Sequence, residues 1–312
     1  MRARILSLLL LALPAALSPA GTSGADFLST RPSARASALG GAFVGLGDDL
    51  SALVYNPSAI DQITGPSLTF LDFAEVDSVS LQDIAYAQTL SFGTLGGGII
   101  YRGQPAIANP LATDSPVEAW DLAVTVAYAG KLGALGWPLP SFLGGADGGV
   151  AVKYIQSHLG GYDAYDGAVD LGVRLPVGEG LLLGASLLNL GPQITFIAVP
   201  DPLPSTALVG LSRAFDPIWN NQVNLAADLD FPFQDSTRMH FGFEDWIAKS
   251  VALRLGYVVD STQSLNGPTA GFGFLLDQDG LVFHLDYAIL PFYYDGFSSF
   301  ETQQQFQMSL TF

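Results

Sequence analysis

Cysteine is absent from all 312 residues of the chain. That removes thiolate metal ligands, thiol nucleophiles, disulfide frameworks and the lipid-modified cysteine of a bacterial lipoprotein. Charge is scarce as well: 13% of residues are charged, against about a quarter in ordinary soluble proteins. Basic residues number only 12 against 29 acidic, a formal charge of −17. A chain this acidic repels phosphate backbones, so nucleic acid is not an expected partner. Beyond the N-terminus there is no uninterrupted apolar run of about 18 residues, which excludes a bundle of spanning helices. Yet 49% of the chain is hydrophobic. A strand crosses a bilayer in about 9 to 11 residues and turns alternate ones to lipid, so a barrel reconciles high apolar content with short runs.

The first residues form an address. Arg2 and Arg4 precede an apolar stretch from Ile5 to Leu17, and small residues follow at Ser18, Ala20, Ser23 and Ala25. This reads as a secretory signal peptide over 1–25, cleaved after Ala20 or Ala25; the stretch is too short for a spanning anchor. Losing 1–25 removes two arginines and no acid, which takes the charge from −17 to −19.

From about residue 67 onward the chain alternates with period two. Phe306, Met308, Leu310 and Phe312 share one face, and Gln305, Gln307, Ser309 and Thr311 share the other. Val251, Leu253, Leu255, Tyr257 and Val259 oppose Ala252, Arg254 and Gly256 in the same way. Fourteen such segments are expected, at about 67–74, 79–91, 94–103, 120–131, 146–156, 166–176, 180–189, 204–215, 221–231, 237–246, 249–259, 268–277, 281–290 and 302–312. The breaks between them hold Gly, Pro, Asp and Asn. An even count places both barrel ends on one side of the membrane, as single-chain outer-membrane barrels require. A soluble β-sandwich also alternates, but its outward face carries abundant charge, whereas the polar face here is sparse in charge and rich in Gly, Ala and Ser. The expected fold is therefore an all-β transmembrane antiparallel barrel of about 14 strands over 67–312. The terminal Phe312 on an alternating last strand is the expected signal to the barrel-assembly machinery, and it places an aromatic at the membrane interface.

Residues 26–66 differ from the rest. Ala34 to Gly47 are small and glycine-rich, Asp48 to Tyr55 read as a short helix capped by Asp48 or Asp49, and Asn56-Pro57 stops it. A segment of about 40 residues with so little core is marginal as an independent domain, so it is expected to fold into the barrel lumen as a hatch.

The run Ala34-Arg35-Ala36-Ser37-Ala38-Leu39-Gly40-Gly41-Ala42-Phe43-Val44, followed by Asp48-Asp49 and Asn56-Pro57-Ser58, resembles the entry motif of PorV/PorQ outer-membrane proteins. These in turn are similar to FadL-type transporters. Asn189-Leu190-Gly191, Leu203-Pro204, Glu244-Asp245-Trp246, Leu253-Arg254-Leu255-Gly256-Tyr257, Asp286-Tyr287-Ala288 and Ser309-Leu310-Thr311-Phe312 continue the resemblance in order. Ser58 and the inserted Gly45-Leu46-Gly47 depart from the pattern. The PorV/PorQ resemblance implies a type IX-like secretion or surface-attachment component, with a translocon or cargo protein as partner. The FadL side implies uptake of a lipophilic small molecule gated by the hatch. Both imply residence in outer-membrane lipid.

No catalytic set stands out. His158, His240 and His284 lie on different segments, and neither a His-x-x-x-His pair nor a Gly-x-Ser-x-Gly elbow occurs. No enzyme activity, cofactor or metal is expected. Parity puts Asp228, Asp230, Arg238, His240, Glu244, Arg254, His284 and Asp286 on the polar, lumen-facing side, either as a hydrophilic conduit or as ion pairs bracing the hatch. Candidate ligand-binding or gating residues are Gly40, Gly41, Phe43, Asp48, Asp49, Asn56 and Pro57. The apolar stretches Ile194–Val199 and Leu290–Tyr294 fall in outer loops, either as an exposed contact surface or folded over the barrel mouth.

Overall fold

The computed structural model describes residues 23–75, 79–107, 116–135, 140, 143–196, 198–215, 219–261, 266–292 and 301–312. The signal-peptide reading lies outside them except for residues 23–25, as does the loop stretch from Tyr293 onward.

Sixteen strands lie among the described residues: β1 Ser67–Ala74, β2 Ser80–Leu90, β3 Gly93–Ile107, β4 Val117–Lys131, β5 Asp147–Leu159, β6 Tyr162–Gly178, β7 Leu181–Leu190, β8 Gln193–Phe196, β9 Val199–Pro202, β10 Thr206–Ala214, β11 Asn221–Pro232, β12 Arg238–Ile247, β13 Val251–Asp260, β14 Gly267–Gln278, β15 Leu281–Phe292 and β16 Glu301–Thr311. Fourteen of them close into one antiparallel barrel, and β8 and β9 form a separate hairpin between β7 and β10. Closure excludes the sandwich. It is made by β1 and β16, which run in register from Ser67 opposite Thr311 to Phe73 opposite Gln305. All fourteen segments expected from alternation are barrel strands, displaced by a few residues at some ends.

The reason is visible in the turns. Glu179-Gly180 and Asp279-Gly280 both have positive φ at both residues, the conformation whose twist matches a two-residue hairpin and which Gly at the second position favours. The faces also follow the alternation. Leu253, Leu255 and Tyr257 point outward and are exposed, whereas Ala252 and Arg254, which alternate with them, are buried. Large apolar side chains such as Phe70, Ile99, Val152, Phe243 and Phe306 are exposed all round the outer wall, an arrangement stable against lipid and not against water.

The interior is filled by residues 24–65. Asp26–Ser29 forms a 3-10 turn, α1 spans Ala34–Ala38, α2 spans Ala52–Tyr55, and Pro57–Gln62 is a second 3-10 turn. Ser33 caps α1 by accepting from the Ala36 N–H. The helix expected over 48–55 is one turn only. Asp49 does accept a backbone bond, from Ser51 N–H at 2.8 Å, but ahead of α2, while Asp48 turns to Arg35. Asn56 stops α2 and its side chain accepts from Ser58 N–H, which caps the turn that Pro57 opens.

Candidate functional site

The N-terminal segment runs the length of the lumen. Gly24 N–H donates to the Pro202 carbonyl of β9 at the loop end, and at the opposite end Thr89 near the foot of β2 donates to the Ile63 carbonyl. Close passage along the wall needs inward residues without side chains. Gly149 pairs with Gly172, Gly184 with Gly210, and Gly242 with Gly256 across neighbouring strands. A Cβ on Gly256 would overlap the Gly40 nitrogen, and one on Gly242 would stand 3.0 Å from the Leu39 Cβ.

Polar contacts hold the segment in place. Arg35 of α1 forms a two-pronged pair with Glu244 of β12, Nε to Oε1 at 2.8 Å and Nη2 to Oε2 at 2.9 Å. Its remaining Nη1 donates to Asp48 and to Asp49 Oδ2, the latter at 2.9 Å. Burial works against the Arg35 charge, but the carboxylates of Asp48, Glu244 and Asp49 outweigh it and raise the guanidinium pKa. On the wall side Arg254 reaches the same Glu244 at 2.8 Å and Asp286 of β15 at 2.6 Å. Both Arg254 and Glu244 are essentially fully buried.

The other expected lumen charges join the same frame. Asp228 Oδ2 accepts the backbone N–H groups of Phe43 at 2.6 Å and Val44 at 2.7 Å. Asp230 pairs with Arg31 at 2.6 Å. His240 donates from Nδ1 to the Gly40 carbonyl at 2.6 Å. Arg238 binds Asp260 at 3.3 Å and also Asp235, nearer the loop end. His284 stands apart, its ring edge-on to Trp246 with centroids 6.0 Å apart.

The candidate residues of the segment itself have distinct places. Gly40 and Gly41 take φ of 67° and 85°, the left-handed region where Gly is unstrained, and they turn the chain after α1 toward β12 and β13. Phe43 is fully buried, edge-on to Tyr55 at 5.6 Å and under the Arg35 guanidinium at 5.4 Å. Asn56 donates to the carbonyls of Val44 at 3.0 Å and Val173 at 3.2 Å, and Pro57 packs by Gly149 and Gly172.

Two polar clusters were not singled out by the sequence reading. Lys153 of β5 pairs with Asp170 of β6 at 2.7 Å and donates to Asn189 Oδ1 at 2.7 Å. Asp147 at the foot of β5 binds Lys131 and accepts from Gln62 of the segment at 2.8 Å. The signal was available in the alternation, since Lys153 and Asp170 fall on the polar faces of adjacent strands. Ile194, expected in an outer loop as exposed contact surface or mouth cover, is fully buried; Phe196 packs on the core cluster, and a Cβ on Gly24 would meet Ile194. The β8–β9 hairpin thus covers the mouth. Leu290 is likewise partly buried against the same cluster.

A shallow cavity of about 430 Å³ remains at the loop end between residues 23–31 and the wall, bordered by Asn189, Thr206, Asp230 and Arg238.

No family model matches the chain, and no curated protein matches it. Solved structures do. The Pseudomonas putida toluene transporter TodX aligns with a TM-score of 0.56 over 89% of this chain and 96% of its own, at 13% identity. The Ralstonia pickettii toluene transporter TbuX aligns with 0.56 over 88% and 96%, at 14% identity. A Pseudomonas aeruginosa FadL homologue aligns with 0.52 over 87% and 95%, at 9% identity. At such identities the likeness shows the fold alone: a closed barrel similar to those of these transporters. It supports the FadL side of the resemblance read from the sequence and lends no support to PorV/PorQ.

Proposed function

We propose that the chain is an outer-membrane channel for lipophilic small molecules, closed at rest by residues 26–66 acting as a hatch. One observation carries this reading. A barrel similar in fold to solved transporters has its lumen crossed by a segment that packs apolar side chains against the wall and is pinned to it by polar clasps, chiefly Arg35 on Glu244 and Asp228 on the Phe43 and Val44 amides. Buried ion pairs add little net stability, so these clasps offer discrete points of release within the apolar packing. The transporters of similar fold are named for toluene, so an aromatic hydrocarbon is the first solute to test. A role in secretion or surface attachment has no support from these likenesses, and the absence of a copurifying translocon or cargo protein is expected. The exposed apolar wall and the signal-peptide reading favour an outer membrane reached by export.

The experiment exploits the missing cysteines. Leu39→Cys with Gly242→Cys joins hatch and wall at positions whose Cβ atoms would stand 3.0 Å apart, so a shift of roughly half an ångström brings them into the range of a disulfide. Cells with the oxidised variant should take up radiolabelled toluene at the rate of cells lacking the protein, and reduction should restore uptake. Equal uptake in both redox states would overturn the hatch as the moving part.

A further inference from the structure

The outer wall is not uniformly convex. Across β10 to β13 one row of outward residues reads Leu211, Ala227, Phe241, Tyr257, each directly opposite the next. Ala227 is the small member between three large ones, and behind it the inward positions Ala226, Gly242 and Gly256 carry almost no side chain. The result is a shallow, open apolar recess of about 730 Å³ in the outer face.

The neighbouring row, one step toward the C-terminal end of the barrel, reads Leu181, Arg213, Leu225, Phe243, Leu255. Among the described residues Arg213 is the one basic side chain on the outward face of the strands. Every other strand Arg or Lys points into the lumen. Its guanidinium lies over the Phe215 ring at 5.0 Å and is about half exposed. Its nearest carboxylate is that of Glu179, at 4.0 Å and 91% exposed, a contact worth little in solvent. Trp219, in the turn that follows β10, is 96% exposed. An exposed Trp marks the headgroup level of a bilayer, so Arg213 stands at that level with the recess directly above it in the acyl region.

We propose that this recess holds one glycerophospholipid of the leaflet nearest the chain's C-terminal end, with its phosphate on Arg213 and an acyl chain in the hollow at Ala227. The guanidinium fork matches a phosphate in two-pronged geometry. An aliphatic chain meets Leu211, Phe241 and Tyr257 without leaving any polar group unpaired. A free phosphate would leave the hollow unused, and a hydrocarbon would leave the cation unused. The proposal rests on the barrel spanning a membrane but not on its carrying any solute.

The test is retention. The full-length protein is assembled in nanodiscs of phosphatidylethanolamine and phosphatidylglycerol, released into detergent and examined by native mass spectrometry, with heat-modifiable gel mobility confirming a folded barrel. The wild type should keep one phospholipid. Arg213→Gln should reduce the retained fraction roughly tenfold, the worth of a charged hydrogen-bonded contact. Ala227→Trp should fill the hollow and abolish retention, and Val152→Trp on β5, four strands round the wall from β11, should change nothing. Equal retention in all four, equal loss with Val152→Trp, or a lipid-free dimer joined through this face would overturn the site. A chain that inserts and transports toluene yet keeps no lipid overturns this proposal alone, whereas a chain that does not insert overturns the membrane reading with it.

Discussion

Arg35 and Glu244 are 209 positions apart in sequence and meet in a parallel two-pronged ion pair, with both groups buried inside the barrel. Glu244 also takes Arg254 from the next strand, so one carboxylate joins the N-terminal segment to the wall. Removing either partner does not cost the same. Without Glu244, Arg254 keeps Asp286 and Arg35 keeps Asp48 and Asp49, but both lose their fully buried partner; without Arg35, Glu244 keeps Arg254, and Asp48 and Asp49 lie nearer solvent.

Glu244→Gln is therefore expected to cost about 1.5 to 3 kcal/mol, the worth of charged hydrogen bonds lost at a buried site where each arginine keeps another carboxylate, and Arg35→Gln less. Urea titration in lipid vesicles measures both, and the double variant gives the coupling. A larger loss for Arg35→Gln would contradict the shared-carboxylate arrangement.

The lumen glycines give a steric prediction. Gly256→Val puts a branched side chain where the Gly40 backbone lies, which should displace the segment without harming insertion and raise single-channel conductance. Gly167→Val is the control, since its nearest neighbour would be 3.5 Å away. Conductance unchanged in both would mean that the wall yields instead of the segment.

Deleting residues 26–66 should leave an inserted barrel that conducts continuously, because a wall of fourteen strands encloses more space than its own side chains fill. A folded but electrically silent deletion variant would show that the β8–β9 hairpin suffices to close the mouth.

Leu253 is about half exposed on the outer wall and its neighbour Arg254 is buried. Leu253→Arg should destabilise the protein in vesicles by about 2 to 4 kcal/mol, the cost of a cation near the bilayer midplane. A neutral result would shift the register by one residue, since that exchanges the two faces.

Phe312 is exposed, and its N–H donates to the Pro66 carbonyl at 2.9 Å, tying the last residue to the entry of β1. Phe312→Asp should lower the folded fraction seen by heat-modifiable mobility, through the loss of an interfacial aromatic. Full folded yield would remove the assembly role.

The barrel was legible in sequence because a lipid-facing strand obeys a local rule. Leu253, Leu255 and Tyr257 must be apolar at period two whatever lies elsewhere, and Asp279-Gly280 must turn wherever it stands. The polar character of Asp228, Glu244, Arg254 and Asp286 was legible for the same reason. Their pairing was not. That Arg35 meets Glu244 and that Asp228 caps the Phe43 and Val44 amides depends on strand order, register and closure through β1 and β16, which bring together residues about 200 positions apart. The length of the helix after Asp49 was misjudged by local rules, and which of two readings of Ile194 holds was left open by them, because a lumen wall supplies burial and hydrogen-bond partners that neither segment carries itself. Composition and alternation alone determined a membrane barrel with a distinct N-terminal segment. The clasps that hold that segment, the covered mouth and the recess beside Arg213 were decided by tertiary structure, since each is made by residues that become neighbours only when the sheet closes.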